Sequence, residues 1–293
     1  MRIFLFLATN LAVLVLVGIV FNLLGLQGVL DQNGVNLNLP ALLLMCAIFG
    51  FGGSLISLFL SKWMAKRGTG AYVIEQPRNR EEQWLLDTVK ELAQEAGIGM
   101  PEVAIFPSEA ANAFATGWNR NAALVAVSAG MLQRFRPEEV KAVMAHEIGH
   151  VANGDMVTLT LIQGVVNTFV IFLARIIGHT VDRVVFRNER GFGIGYFVVT
   201  MVAQLVLSLL ASIIVMWFSR HREYRADHAG ATLASKGGMI AALQRLQLEQ
   251  GQPQDIPGEL TAFGISEQLK QGVSGLFRSH PPLDDRIRAL QAS

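Results

Sequence analysis

A mainly α-helical membrane protein with a small β-sheet, an α+β fold with four transmembrane helices, is what this sequence predicts. Three observations carry that prediction. Charge is scarce: of 293 residues, 52% are hydrophobic and 16% charged, where an average soluble domain carries about 25% charged residues. The deficit is concentrated in four stretches. The remaining, polar part shows apolar residues at helical spacing, interrupted by a few short strand-like runs, and one of its helices holds the segment His146-Glu147-Ile148-Gly149-His150.

No charged residue occurs between Ile3 and Leu30, between Gln32 and Ser61, between Met156 and Ala174, or between Gly191 and Ser219. Each stretch can supply the ~20 apolar residues of a bilayer-spanning helix. The spans are placed at about 3–24, 39–60, 157–177 and 194–218. The first reads as a retained anchor, because its apolar run outlasts a signal-peptide core and no small-x-small cleavage site closes it. Cys46, the single cysteine, lies within the second span, so no intramolecular disulfide forms and no oxidising compartment is implied. A formal net charge of +1 argues against nucleic acid as a partner.

Lys62, Lys66 and Arg67 follow the second span directly, whereas the loop before it carries only Asp31. By the positive-inside rule, the chain after Lys62 is cytoplasmic, and an even number of spans returns Arg220 onward to that side. The loop between the last two spans strains the rule, with Arg175, Arg183, Arg187 and Arg190 against Asp182 and Glu189. Either that pair inserts despite its flanks, or it forms an apolar hairpin only partly embedded. The chain thus divides into 1–61 (two spans), 62–155 (extramembrane), 156–219 (a membrane hairpin) and 220–293 (extramembrane).

Within the extramembrane parts, 81–96 reads as a helix, with Trp84, Leu85, Val89, Leu92 and Ala96 at helical spacing. Residues 102–106 and 122–128 read as strands, and 112–117 as a turn-flanked segment able to form another. A helix opens at Pro137, a residue suited to a first turn, with Glu138 and Glu139 at its positive end. Further helices are expected over 237–250 and 283–290. An exposed strand beside a cleft would accept an extended peptide by main-chain hydrogen bonds, with little demand on its sequence.

The H-E-x-x-H segment carries the chemistry. Residues four apart share a helix face, so His146 and His150 can address one zinc ion, with Glu147 placed to take a proton from its bound water. A catalytic zinc needs three protein ligands and an open position. The segment His221-Arg222-Glu223-Tyr224-Arg225-Ala226-Asp227 offers the third: Glu223 and Asp227 share a face, one as ligand and the other as acceptor for a ligand's ring N–H. A hairpin of the last two spans brings both segments back to one bilayer face, at or slightly below the membrane surface. No second set of ligands is evident, so one ion per chain is expected.

The HEIGH helix, the Glu223–Asp227 segment, the run Asn112-Ala113-Phe114-Ala115-Thr116-Gly117 and the tail Ser279-His280-Pro281-Pro282-Leu283-Asp284-Asp285-Arg286 together resemble the M48 family of zinc metalloproteases. That resemblance implies a zincin-like (gluzincin) domain tied to the bacterial inner membrane and facing the cytoplasm. It implies zinc ligands His146, His150 and Glu223, Glu147 as general base, and Asp227 as the carboxylate that orients a ligand. Asn112, His280 and Arg286 would stand near the reacting carbonyl. The implied substrates are misfolded or damaged membrane proteins in a stress response, and the protein itself by autocleavage. Two other readings stay open at this stage: a prenyl-protein (CAAX-type) endoprotease, and a zinc-binding membrane transporter or sensor without hydrolytic activity.

Overall fold

The computed structural model describes Ile19 and residues 37–188, 192–250 and 280–293. The first expected span, 3–24, lies outside these residues apart from Ile19, as do Asp31, Glu189, Arg190 and Ser279. Eight helices and four strands follow in the described chain: α1 (Leu39–Thr69), β1 (Tyr72–Val73), α2 (Arg80–Glu95), β2 (Glu102–Phe106), β3 (Ala113–Thr116), β4 (Leu124–Ser128), α3 (Ala129–Arg134), α4 (Pro137–Asn153), α5 (Asp155–Val184), α6 (Ile194–Leu233), α7 (Lys236–Gln250) and α8 (Leu283–Ala292). Three of them, α1, α5 and α6, are long and apolar enough to cross a membrane. Each runs past its expected span. In particular, α6 continues through Glu223 and Asp227 to Leu233 without a break, since no proline lies between Phe218 and Leu233 and the single glycine there, Gly230, is tolerated inside a helix.

Two compact units emerge, one of residues 1–57 and 158–215, the other of 58–157 and 216–293. In the first, small residues allow close helix approach, as expected where packing rather than water drives association. A side chain on Gly50 would meet the Thr168 backbone nitrogen at 2.6 Å. Nearby, Ser54 Oγ donates to Gly50 O at 3.0 Å and accepts from Asn167 Nδ2 at 3.3 Å. At the turn between α5 and α6, Asp182 accepts from Asn188 Nδ2 at 2.8 Å, Gly193 N at 3.0 Å and Tyr196 N at 3.1 Å. One acid thereby accepts from two N–H groups at the start of α6, where the first turn leaves donors to satisfy, and Tyr196 N also reaches Gly193 O at 3.1 Å.

The second unit is built on a four-stranded mixed sheet of order β1-β2-β4-β3. β2 and β4 are parallel, with Ala104 opposite Ala126; β1 and β3 are antiparallel to their neighbours. Period-2 alternation sends Val103, Ile105, Val125 and Val127 to one face and Ala104, Phe106, Leu124 and Ala126 to the other. The first face receives α2, through Leu85, Val89 and Leu92, and α4, through Met144 and Ile148. Full burial of each such leucine or isoleucine contributes about 1.5–3 kcal/mol. The strand expected over 122–128 begins only at Leu124, because Ala122 closes a turn on Asn119 O. Neither the two-residue β1 nor the short α3 was anticipated from the sequence.

Local signals set both ends of α4. Pro137 occupies its first turn, Arg136 N donates to Glu139 Oε2 at 2.9 Å, and Gly154 ends it in the left-handed region at φ 69°. That conformation is strained for residues with a Cβ. It lets the chain turn sharply and start α5 at the next residue, Asp155.

Candidate metal centre

His146 and His150 project from one face of α4, as four-residue spacing requires. Facing them from α6 is Glu223, which is buried. Glu223 Oε2 lies 3.6 Å from His146 Nε2, and Oε1 lies 3.2 Å from His150 Nε2. Ligand atoms at two corners of a tetrahedral zinc, with bonds of ~2.0–2.1 Å, stand ~3.3 Å apart. The three residues form a group whose ligand atoms all lie within 4.8 Å of one another. The spacing and the N,N,O donor chemistry therefore fit a metal ion.

The other ring nitrogen of each histidine is already committed. Asp227 Oδ1 lies 3.0 Å from His146 Nδ1, and Asp155 Oδ2 lies 2.7 Å from His150 Nδ1. Each carboxylate accepts the Nδ1 proton and leaves Nε2 turned to Glu223. Burial alone would lower the His150 ring. Hydrogen bonds with Asp155 and Glu223, with the charge of Glu147 added, outweigh it and raise the ring to about 9. A metal entering at neutral pH therefore displaces a proton from Nε2. Burial would push Glu223 up, yet its hydrogen bonds with His150 and His280 hold it far below the usual carboxylate range.

Asp155 did not figure in the sequence reading. It is 1% exposed, and its backbone oxygen accepts from Arg222 Nη1 at 2.9 Å. The signal was an acid five residues beyond the second histidine, masked by its place at the mouth of a span. Asp155→Ala is expected to weaken metal binding about 10–100-fold, whereas Asp155→Asn keeps an acceptor and most of the affinity. Chelator competition measures both; unchanged affinity in the alanine variant would remove Asp155 from the site.

The approach of α4 to α6 depends on Gly149, between the ligands. A Cβ there would come within 2.7 Å of Ala229 Cβ. Gly149→Ala gains about 1 kcal/mol of helix propensity, but overpacking costs about 1–3 kcal/mol, so the variant is expected to be less stable. It should also bind metal less tightly, because the helix carrying Glu223 is pushed away. Equal or higher thermal stability in detergent would refute this.

A cleft of about 790 Å³ opens beside the histidines, lined by Asn112, His146, Glu147, His280 and Arg286 among others. Glu147 is half-buried at its wall. Asn112 sits just before edge strand β3, its backbone N–H donating to Ser128 Oγ at 3.0 Å. His280 is largely exposed, with Nδ1 2.6 Å from Glu223 Oε2. Arg286, on α8, is buried; its Nε and Nη2 donate to Asp227 at 2.8 and 2.5 Å, and Nη1 lies 3.3 Å from Glu223 Oε2. All eight residues singled out in the sequence thus gather around the cleft or directly behind it.

A helical H-E-x-x-H segment meeting a distant glutamate, in a protein with three membrane-length helices, defines the class of membrane-bound metalloproteases. Comparison with known proteins narrows this: the family model described as peptidase family M48 matches residues 79–293, and the chain belongs to that family. It is HtpX-like within it. Protease HtpX of Pseudomonas putida strains GB-1 and W619 is 66% identical over 291 residues, covering 99% of this chain and of each relative. Protease HtpX of Pseudomonas syringae pv. tomato is 65% identical over the same length and coverage. Among solved structures, the crystal structure of S. mikatae Ste24p superposes with a TM-score of 0.62 at 18% identity, covering 95% of this chain and 67% of that one, a likeness of fold.

Proposed function

We propose that this membrane-bound metalloprotease is a zinc-dependent endopeptidase of the bacterial inner membrane with its cleft facing the cytoplasm. It cleaves misfolded or damaged membrane proteins, and itself by autocleavage. The observation that carries the zinc reading is the convergence of two imidazole Nε2 atoms on Glu223, at 3.6 and 3.2 Å, beside the cleft that holds Glu147. Two histidines and a carboxylate suit zinc better than the hard cations, which prefer all-oxygen sites. Orientation rests on Lys62, Lys66 and Arg67 after the second span. The substrate class rests on family membership and the membrane-length helices.

When bound, zinc supplies Lewis acidity, making water acidic and the scissile carbonyl electrophilic. His146, His150 and Glu223 hold it, and Asp227 and Asp155 keep both rings in the ligating orientation. Glu147 takes the proton from the attacking water and passes it to the departing amine. The tetrahedral oxyanion then receives hydrogen bonds that the planar ground state lacks, from Asn112 and His280 on the cleft wall. Arg286 contributes positive charge from its place on Asp227, where its Nε and Nη2 stay bound.

The test is casein cleavage by metal-free protein in detergent, titrated with zinc. Activity that rises to a plateau near one equivalent supports the reading. Stoichiometric zinc uptake without cleavage of casein, or of a membrane protein offered next, would overturn it.

A further inference from the structure

The loop joining β3 to β4 has features that the metal centre does not use. Trp118, at its tip, is 51% exposed. Its ring meets Phe59 edge-on, with centroids 5.6 Å apart. Phe59 belongs to the last turn of the charge-free run of α1, just before Lys62. Phe59, Leu60, Trp63 and Met64 are themselves exposed. One apolar, aromatic surface therefore continues from the end of a membrane-length helix onto the loop.

The loop is held firmly against that helix. Lys62 Nζ donates to Glu102 Oε1 at 2.6 Å and to Ala122 O, within the loop, at 2.8 Å. Lys66 pairs with the second oxygen of Glu102 at 2.5 Å. Asn121 Oδ1 accepts from Gly99 N at 3.0 Å, and Asn119 Oδ1 accepts from Asn121 N at 2.9 Å. Gly117 adopts φ 133°, which residues with a Cβ rarely take, and a Cβ there would sit 3.2 Å from Ala123 Cα. Trp118 is thus mounted in one place rather than carried on a loose tip.

A rigidly presented tryptophan, continuous with exposed phenylalanine and leucine, is costly in water. At the headgroup level of a bilayer its amphipathic ring is favoured. The charges beside it mark that level: Lys62 and Lys66 end the apolar run, and the Arg67 guanidinium lies 5.9 Å from the centre of the Trp63 ring. We infer that Trp118 and the β3–β4 loop seat in the headgroup–acyl boundary of the lipid bilayer, as a second membrane anchor beside the end of α1. β3 starts at the cleft, where Ala113 is part of the lining, and leads to this loop. On the peptidase reading above, a chain paired along β3 would reach the metal from the membrane surface.

The test uses full-length protein in phosphatidylcholine–phosphatidylglycerol liposomes containing lipids brominated on their acyl chains. Trp118→Cys, in a Cys46→Ala background, carries an environment-sensitive fluorophore. Labels at Phe197→Cys, exposed on α6, and Lys90→Cys, exposed on α2, serve as lipid and water references. Quenching by bromolipid at 118 is expected to approach that at 197 and to exceed that at 90 several-fold. A label at 118 that behaves like the one at 90, or is shielded from both bromolipid and aqueous iodide, overturns the inference; the shielded case would point to a protein contact. Trp118→Phe with the native cysteine is the second readout. It should lower the bromolipid-quenchable fraction of intrinsic tryptophan emission, and an unchanged fraction overturns the inference too. Neither readout involves catalysis, so loss of the peptidase reading would leave both interpretable.

Discussion

Replacing Glu147 with glutamine is expected to leave zinc bound one to one and to lower peptide cleavage by about 10²–10⁴-fold, the usual contribution of a positioned general base. The amide keeps the size and half-buried position of the side chain on the cleft wall. It cannot take up a proton, so water attack and amine departure both lose their carrier. Since the ligand set of His146, His150 and Glu223 is untouched, metal content should not change. His146→Ala provides the contrast: it removes a ligand and should lose zinc and activity together. Metal analysis and casein cleavage on the same preparations separate these outcomes. Equal loss of metal and activity in Glu147→Gln would mean that Glu147 is a ligand, and full zinc in His146→Ala would refute the site.

Arg286→Met is expected to destabilise the protein by about 3–5 kcal/mol, the cost of breaking a buried ion pair by removing one partner. Arg286 is 5% exposed, Asp227 1% and Glu223 2%, so two carboxylates would be left buried without their shared cation. Burial by itself would raise the Asp227 carboxyl, but hydrogen bonds from Arg286 and His146 hold it below the usual range. Without the guanidinium, Asp227 would have to find another partner or a proton. Either change disturbs the acceptor that keeps His146 Nε2 aimed at Glu223. Bound zinc should offset part of the loss, because it neutralises Glu223. Thermal unfolding in detergent, with and without zinc, measures both effects. A loss below about 1 kcal/mol in the metal-free protein would show that the pair is worth no more than a surface one.

The contrast between these two residues shows how the site was legible. Glu147 needed only a helix: the i, i+4 spacing of His146 and His150 places both rings on one face wherever α4 goes. Likewise the Glu223–Asp227 spacing, the charge-free spans and the short apolar run in 102–106 are short-range patterns that need no tertiary contact to be seen. Arg286 had no such pattern. In sequence it is a surface cation on a short helix, and its pairing with Asp227, 59 residues away, exists only because α8 packs beside the metal helices. His280 and Asn112 were found by family likeness alone, and their backbone neighbourhoods say nothing of a metal.

By itself, then, the sequence determined the longer helices, the three membrane-length segments among the described residues and which side chains on a given helix face together, because backbone periodicity and apolar spacing are local. Tertiary structure decided the rest. The parallel pairing of β2 with β4 depends on where a connection crosses. Asp155 reaches His150 only because Gly154 turns left-handed between two helices. Glu223 comes within 3.2 Å of His150 only because Gly149 lets α6 approach α4 without a side chain between them. Such meetings hang on backbone geometry and packing summed over many residues, and no local pattern encodes that sum.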